Sequence, residues 1–196
     1  MHESLPLATI QNALLQFLCD RDDVVIFGAQ AVNAYVGEPR MTQDIDLLSP
    51  RAEKLAEELR AYLSQHFHIA VRVREVGEGR GYRLYQVQKS GNRHLVDLRP
   101  VKSLPPAQRI ERVLIMAPAE LIASKVMSYY QRRGKPKAGT DWRDLAMLLL
   151  TFPELKSHSG LVVDRLKAAG VEAKILAVWQ EIVATEISPE DDEDEF

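Results

Sequence analysis

Three features of the 196-residue sequence predict an α/β half followed by a helical C-terminal region. A continuous apolar run, Val24 to Phe27, stops at Gly28 and passes straight into a helical pattern, as a buried strand does when it feeds a helix. Segments 68–76, 82–88 and 93–99 then alternate apolar and polar residues, the signature of half-buried strands. Beyond Pro105-Pro106 the pattern turns helical to near the C-terminus.

Taken in order, residues 4–19 form an amphipathic helix with Leu7, Ile10, Leu14 and Phe17 on one stripe. Cys19 follows that stripe as a packed thiol. The helix over 29–36 carries Val32, Tyr35 and Val36; Gly37 suits its C-cap and Pro39 blocks its continuation. Ile45 to Leu48 is the second strand. Ser49-Pro50 predicts a helix start, serine capping and proline at the first helical position, with Leu55, Leu59 and Leu63 inside a helix reaching about Gln65. The glycine run from Gly77 to Gly81 lies between two alternating strands and precedes no helix, so it predicts a hairpin turn rather than a phosphate loop. A short apolar run, Val113 to Met116, leads into helices over 118–132, 140–151, 160–169 and 172–186. The expected organisation is an α/β domain over 1–116, a helical domain over 117–187, and an acidic tail over 188–196 that is disordered by composition.

Composition narrows the class. No apolar run approaches the roughly 18 residues of a membrane span. The N-terminus lacks a signal-peptide pattern, and one cysteine makes no internal disulfide, so a cytoplasmic protein without membrane contacts is expected. His66 and His68 have no cysteine or third ligand nearby, which argues against zinc. The net charge of −3 hides an asymmetry: six of the 28 acids fall in the last nine residues, leaving 22 acids against 25 bases elsewhere. Residues 72–112 hold ten Arg or Lys, opposed by Glu75, Glu78, Asp97 and Glu111. Such a segment reads either as the wall of an anionic-substrate cleft or as a solvated strand face. The acidic tail reads as a solubilising terminus, or as a competitor with nucleic acid for that basic face.

The densest stretch chemically is Gly28 to Leu48. Asp44 and Asp46, two residues apart in a strand, share a face, and like charges that close call for a cation, usually a divalent metal. Gly28 lets backbone approach a phosphate at a helix N-terminus, and Arg40 and Thr42 stand ready for phosphate or ribose oxygens. Asp97, mid-strand between apolar residues, is the candidate third carboxylate; pairing with Arg93 or Arg99 is its structural alternative. Lys125 interrupts the apolar stripe of Leu121, Ile122 and Tyr129, so it must snorkel or meet an anion. Asp141 and Asp144, taken to open the next helix, have a simpler role in complementing its dipole.

The pattern of a strand, Gly-Ala-x-Ala, a helix, Gly-x-Pro-Arg-x-Thr-x-Asp-Ile-Asp-Leu and a later lone strand Asp resembles the nucleotidyltransferase superfamily of DNA polymerase β-like fold. In particular it is similar to the AbiEii/MenT-type nucleotidyltransferases, many of them toxins of toxin–antitoxin systems. The strong match covers residues 24–48. The resemblance implies a nucleotidyltransferase-type mixed sheet with flanking helices and a helical C-terminal region. It implies a metal-dependent enzyme that moves a nucleoside monophosphate from an NTP to an acceptor hydroxyl, with RNA or tRNA as acceptor and an antitoxin protein as partner. By the same resemblance Asp44, Asp46 and Asp97 hold two Mg2+ ions (or Mn2+). Gly28, Ala29, Arg40, Thr42 and Lys125 bind the nucleotide, and Lys125, Asp141 and Asp144 join the three carboxylates as catalytic residues. Ala29 departs from the family's usual Gly-Gly or Gly-Ser turn and removes a hydroxyl while leaving the backbone donors. Two other functions stay open: a small-molecule, aminoglycoside-like nucleotidyltransferase, and a non-catalytic nucleotide-binding module of the same fold.

Overall fold

The computed structural model describes residues 5–189. They fall into two compact units: the described chain up to Ala34 together with Pro39–Ala117, and Tyr35–Glu38 together with the chain from Pro118. Most of the acidic tail, residues 190–196, lies outside the described residues.

In the first unit, helix α1 (Leu7–Leu18) leads to β1 (Val25–Phe27), which passes into α2 (Gly28–Tyr35). Then come β2 (Ile45–Ser49), α3 (Ala52–Phe67), β3 (Val71–Val76), β4 (Gly81–Gln86) and β5 (Arg93–Pro100). A last hairpin, β6 (Ala107–Ile110) and β7 (Val113–Met116), closes the unit. The seven strands form one sheet in the order β3-β4-β5-β2-β1-β7-β6. It is mixed: β2 runs parallel to β5 and β1 to β7, and the other neighbours are antiparallel.

Alternation along β2 sorts its faces. Ile45 and Leu47 are buried, paired with Val96 and Leu98 of β5, and α3 packs on strands β2 to β5. Leu55, Leu59 and Leu63 of α3 are fully buried, as is Ile10 of α1, while Leu14 is 1 % exposed. Each such side chain contributes about 1.5–3 kcal/mol of burial. Asp46 and Leu48 stand on the opposite face and leave it open for chemistry.

Three expectations change. Ser49 does not cap α3: it ends β2, with its hydroxyl donating to the Asp23 carbonyl at 2.6 Å and accepting from the Arg51 amide at 3.0 Å, and α3 starts only at Ala52. Val113–Met116 is a full sheet strand, and β6 beside it was not anticipated, because Ala-Gln-Arg-Ile carries no alternation. The turn between them, Glu111-Arg112, has φ of 45° and 71°, a geometry that usually selects Asn or Gly. Here Asp20 holds it instead: its amide donates to the Arg112 carbonyl at 2.8 Å and its carboxylate pairs with the Arg112 guanidinium. The third change is in the second unit, where α5 begins at Lys137 and not at Thr140.

That unit comprises α4 (Pro118–Gln131), α5 (Lys137–Thr151), a 3-10 turn (Pro153–Leu155), α6 (Leu161–Ala168) and α7 (Ala173–Ala184). Leu121, Ile122, Leu145, Leu148, Leu166 and Trp179 form its core. The Trp179 indole donates to the Ser157 carbonyl at 3.0 Å, satisfying its one polar atom. No helix among the described residues is long and apolar enough to cross a membrane.

Candidate active site

Strand register assembles the carboxylates. Phe27 pairs with Asp46 across β1 and β2, and Asp46 pairs with Asp97 across β2 and β5, so both acids project from the same face on adjacent strands. Asp44, two residues earlier, sits just before β2 begins. Gly28 has φ of 70°, and a Cβ added there would overlap the Asp46 carboxylate. Glycine is therefore required twice, for the left-handed backbone and for the close approach of Asp46 to the start of α2.

His94 completes the group, and the sequence did not single it out. It lies three residues before Asp97, which in an unbroken strand would put the two on opposite faces. Between Leu84 and Tyr85 of β4 the pairing jumps from Val96 to His94, leaving Leu95 as an extra residue in β5. This bulge explains why the consecutive residues Leu95 and Val96 are both buried. It also resets the alternation, so that His94 opposite Tyr85 and Asp97 opposite Arg83 share a face. His94 Nδ1 is 3.1 Å from Asp44 Oδ2, and Nε2 is 3.5 Å from Asp97 Oδ1 and 3.2 Å from the Val96 carbonyl. The Tyr85 ring packs against the imidazole with centroids 5.1 Å apart.

The electrostatics follow from this packing. The hydrogen bond to Asp44, then that to Asp97, holds the imidazole pushed up to about 10, against the opposing effect of burial. Burial pushes Asp97 up, but the hydrogen bonds from His94 and Arg83 together outweigh it and hold this carboxyl below 3.8. Arg83 Nε donates to Asp97 Oδ1 at 2.7 Å. Arg83 is thus an ion-pair partner of Asp97, where the structural alternative had been Arg93 or Arg99. Arg93 instead donates to the Leu5 carbonyl at 2.7 Å, and Arg99 lies 5.0 Å over the Phe27 ring. Only the cross-strand register reveals Arg83, fourteen residues away in sequence.

Asp44, His94 and Asp97 each offer one donor atom within 4.8 Å of the others, a donor set that could hold a divalent cation. Asp46 stands in register with Asp97 beside them.

The loop carrying Arg40 and Thr42 is pinned from α1 and α2. Asn33 brackets Arg40: its side chain accepts from the Arg40 amide at 3.0 Å and donates to the Arg40 carbonyl at 2.8 Å. Thr42 Oγ1 donates to Gln30 Oε1 at 3.3 Å, and Gln11 Nε2 donates to the Thr42 carbonyl at 3.0 Å. Met41 between them is 95 % exposed. A cavity of about 520 Å³ beside α2, lined by Cys19, Gln30, Asn33, Ile26 and Ile115 among others, is not lined by Asp44, Asp46 or Asp97.

In the helical unit, Lys125, Asp141 and Asp144 come together. Lys125 Nζ donates to Asp144 Oδ2 at 2.6 Å and lies 3.9 Å from Asp141 Oδ1. Arg132 donates to both Asp141 oxygens, at 3.0 and 2.9 Å. Asp144 is fully buried, Asp141 2 % exposed and Lys125 7 % exposed. Because α5 starts at Lys137, the two acids lie beyond its first residues and answer buried cations rather than the helix dipole. Lys125 thus meets its anions within the unit, on the next helix.

The family described as "Nucleotidyl transferase AbiEii toxin, Type IV TA system" matches residues 16–194. Solved structures of related fold include the Megavirus polyadenylate synthase, 14 % identical with a TM-score of 0.61, over 75 % of this chain and 32 % of that one. The chain thus spans about a third of that protein's length. JHP933 from Helicobacter pylori is 16 % identical with a TM-score of 0.58, over 90 % of this chain and 89 % of that one. The antibiotic-resistance factor ANT(2'')-Ia is 16 % identical with a TM-score of 0.52, over 90 % and 95 %. No curated protein matches the chain.

Proposed function

The chain belongs to the AbiEii family of nucleotidyltransferases, and from that premise we propose that it moves a nucleoside monophosphate from an NTP to an acceptor hydroxyl, releasing pyrophosphate. The observation that carries this reading is the cluster of Asp44, Asp46 and Asp97 on one sheet face, with Gly28 at the start of α2 against Asp46.

Two divalent ions, Mg2+ or Mn2+, held by these carboxylates would neutralise the triphosphate and acidify the acceptor hydroxyl. The chain's own residues do the rest. Backbone N–H groups of Gly28 and Ala29 at the α2 N-terminus face the triphosphate. Arg40 and Thr42, fixed by Asn33, Gln11 and Gln30, contact its phosphate or ribose oxygens. Asp97 takes the acceptor proton at Oδ2, while its Oδ1 is held by Arg83 and His94. Positioning and charge neutralisation then supply most of the acceleration. Lys125, Asp141 and Asp144 serve as positioning residues that lock α4 to α5.

The acceptor we favour is RNA. Arg74 pairs with Arg83, and Arg83 with Asp97; Arg72 pairs with Tyr85, and Tyr85 with His94. These rows place arginines and an aromatic ring on the carboxylate face, leading outward to the sheet edge, as a single-stranded polyanion requires. A cytoplasmic setting and a cognate antitoxin accord with the family.

Incubation with each α-labelled NTP and Mg2+, plus total RNA or a metabolite pool, tests the proposal. Label in RNA with pyrophosphate release is expected, and Asp44→Asn should abolish it with the fold intact. Label confined to small molecules would replace RNA as acceptor; full activity in Asp44→Asn would remove the site assignment.

A further inference from the structure

We propose that His94 is a metal ligand: its Nδ1 joins Asp44 and Asp97 in a mixed nitrogen–oxygen site that takes a first-row transition ion in preference to Mg2+. The inference rests on the reading that a divalent ion binds between Asp44 and Asp97.

The backbone is built to bring this ring in. In an unbroken β5, His94 would lie on the opposite face from Asp97, the buried one; the bulge at Leu95 turns it to the carboxylates instead. Bulges next to sites re-aim one side chain at a cost in ladder pairing, and here the re-aimed side chain is an imidazole.

The tautomer follows from the ring's neighbours. Nε2 is 3.2 Å from the Val96 carbonyl, which can only accept, so Nε2 carries a proton and donates it. A ligating histidine ordinarily holds its second nitrogen in this way, against a backbone carbonyl. Nδ1 is the nitrogen left to face Asp44 Oδ2, 3.1 Å away. A cation seated between them would take the place of the proton that the two atoms share in its absence.

The spacing suits one. Adjacent donors in an octahedral set at about 2.1–2.2 Å from the ion are about 3.0 Å apart, and opposite donors about 4.3 Å. The Nδ1 to Oδ2 separation of 3.1 Å matches an adjacent pair, and the 4.8 Å limit of the whole group exceeds an opposite pair only slightly. Tyr85 packed on the ring keeps it from rotating away. Mg2+ takes oxygen donors almost exclusively, whereas imidazole suits transition ions, so a nitrogen in the set shifts selectivity.

The test uses the full chain and Mn2+ alone, read by electron paramagnetic resonance. Bound Mn2+ should show 14N electron spin-echo modulation in the wild-type protein. His94→Gln should remove that modulation and weaken Mn2+ binding about tenfold or more, while Mg2+, measured by competition, changes less than about threefold. Absence of 14N modulation at bound Mn2+, or unchanged or tighter Mn2+ binding in His94→Gln, overturns the inference. The wild-type modulation needs no variant, so a misfolded His94→Gln leaves the test intact. Loss of Mn2+ in Asp44→Asn, with His94→Gln unaffected, would overturn the nitrogen ligand alone. A wild-type chain that binds neither ion would overturn both the ligand and the metal reading beneath it.

Discussion

Lys125→Met probes the buried charge network of the helical unit. Four charges, Lys125 and Arg132 against Asp141 and Asp144, neutralise one another there. Asp144 is fully buried and receives the Lys125 ammonium at 2.6 Å, and Arg132 pairs with Asp141 at 2.9 Å. Removing the lysine therefore takes away the ammonium that Asp144 meets at 2.6 Å in a site away from water, and leaves the network one positive charge short. Breaking such a buried pair costs about 3–5 kcal/mol. Both tryptophans of the chain, Trp142 and Trp179, lie in this unit, so intrinsic fluorescence during urea unfolding reports it specifically. The double variant Lys125→Met/Asp144→Leu should recover most of the loss, because a buried pair replaced by apolar side chains is often neutral or better. A coupling energy of about 2 kcal/mol or more is expected from the double-mutant cycle. A single-variant cost below about 1 kcal/mol, or additive effects, would refute the network as the fixture between α4 and α5.

Gly28→Ala places a Cβ at φ 70° and inside the Asp46 carboxylate. It should cost about 1–2 kcal/mol for the left-handed backbone, seen in urea titrations by circular dichroism, and depress nucleotide transfer by displacing Asp46. Gly139→Ala, exposed in α5 with nothing within 4 Å of the added carbon, is the contrasting case and should stabilise by about 0.5–1 kcal/mol. Acid stability should depend on Asp23, whose carboxyl the Arg21 hydrogen bond holds below 3.8 while burial works against it. A lowered folded value means the contribution is present above the unfolded value and is lost as pH falls through the folded one. Asp23→Asn should accordingly be less stable than wild type at neutral pH, and the gap should close below about pH 4; a gap that persists there would contradict the pairing.

The local pattern from Gly28 to Leu48 was legible because each of its parts acts at short range. The glycine turn, the helix stop at Gly37 to Pro39 and the period-two spacing of Asp44 and Asp46 need no distant partner to be read. Asp97 was legible as an acid between apolar neighbours, and the hairpin at Gly77 to Gly81 by its turn chemistry. Strand β6 was missed because its turn, Glu111-Arg112, borrows its support from Asp20, ninety-odd residues earlier. Lys125 was readable as a charge needing an anion; which anion depended on how α4 lies on α5.

The sequence by itself thus determined the α/β class and the strand-to-helix turn at Gly28, and singled out three carboxylates as candidates, since propensity and periodicity are properties of neighbouring residues. Only tertiary structure decided what surrounds those carboxylates. The pairing register brings Arg83 to Asp97 across two strands, and one extra residue, Leu95, turns His94 from the buried face to the chemical one. A bulge exists only in the pairing of one strand with another, so nothing along a single strand announces it.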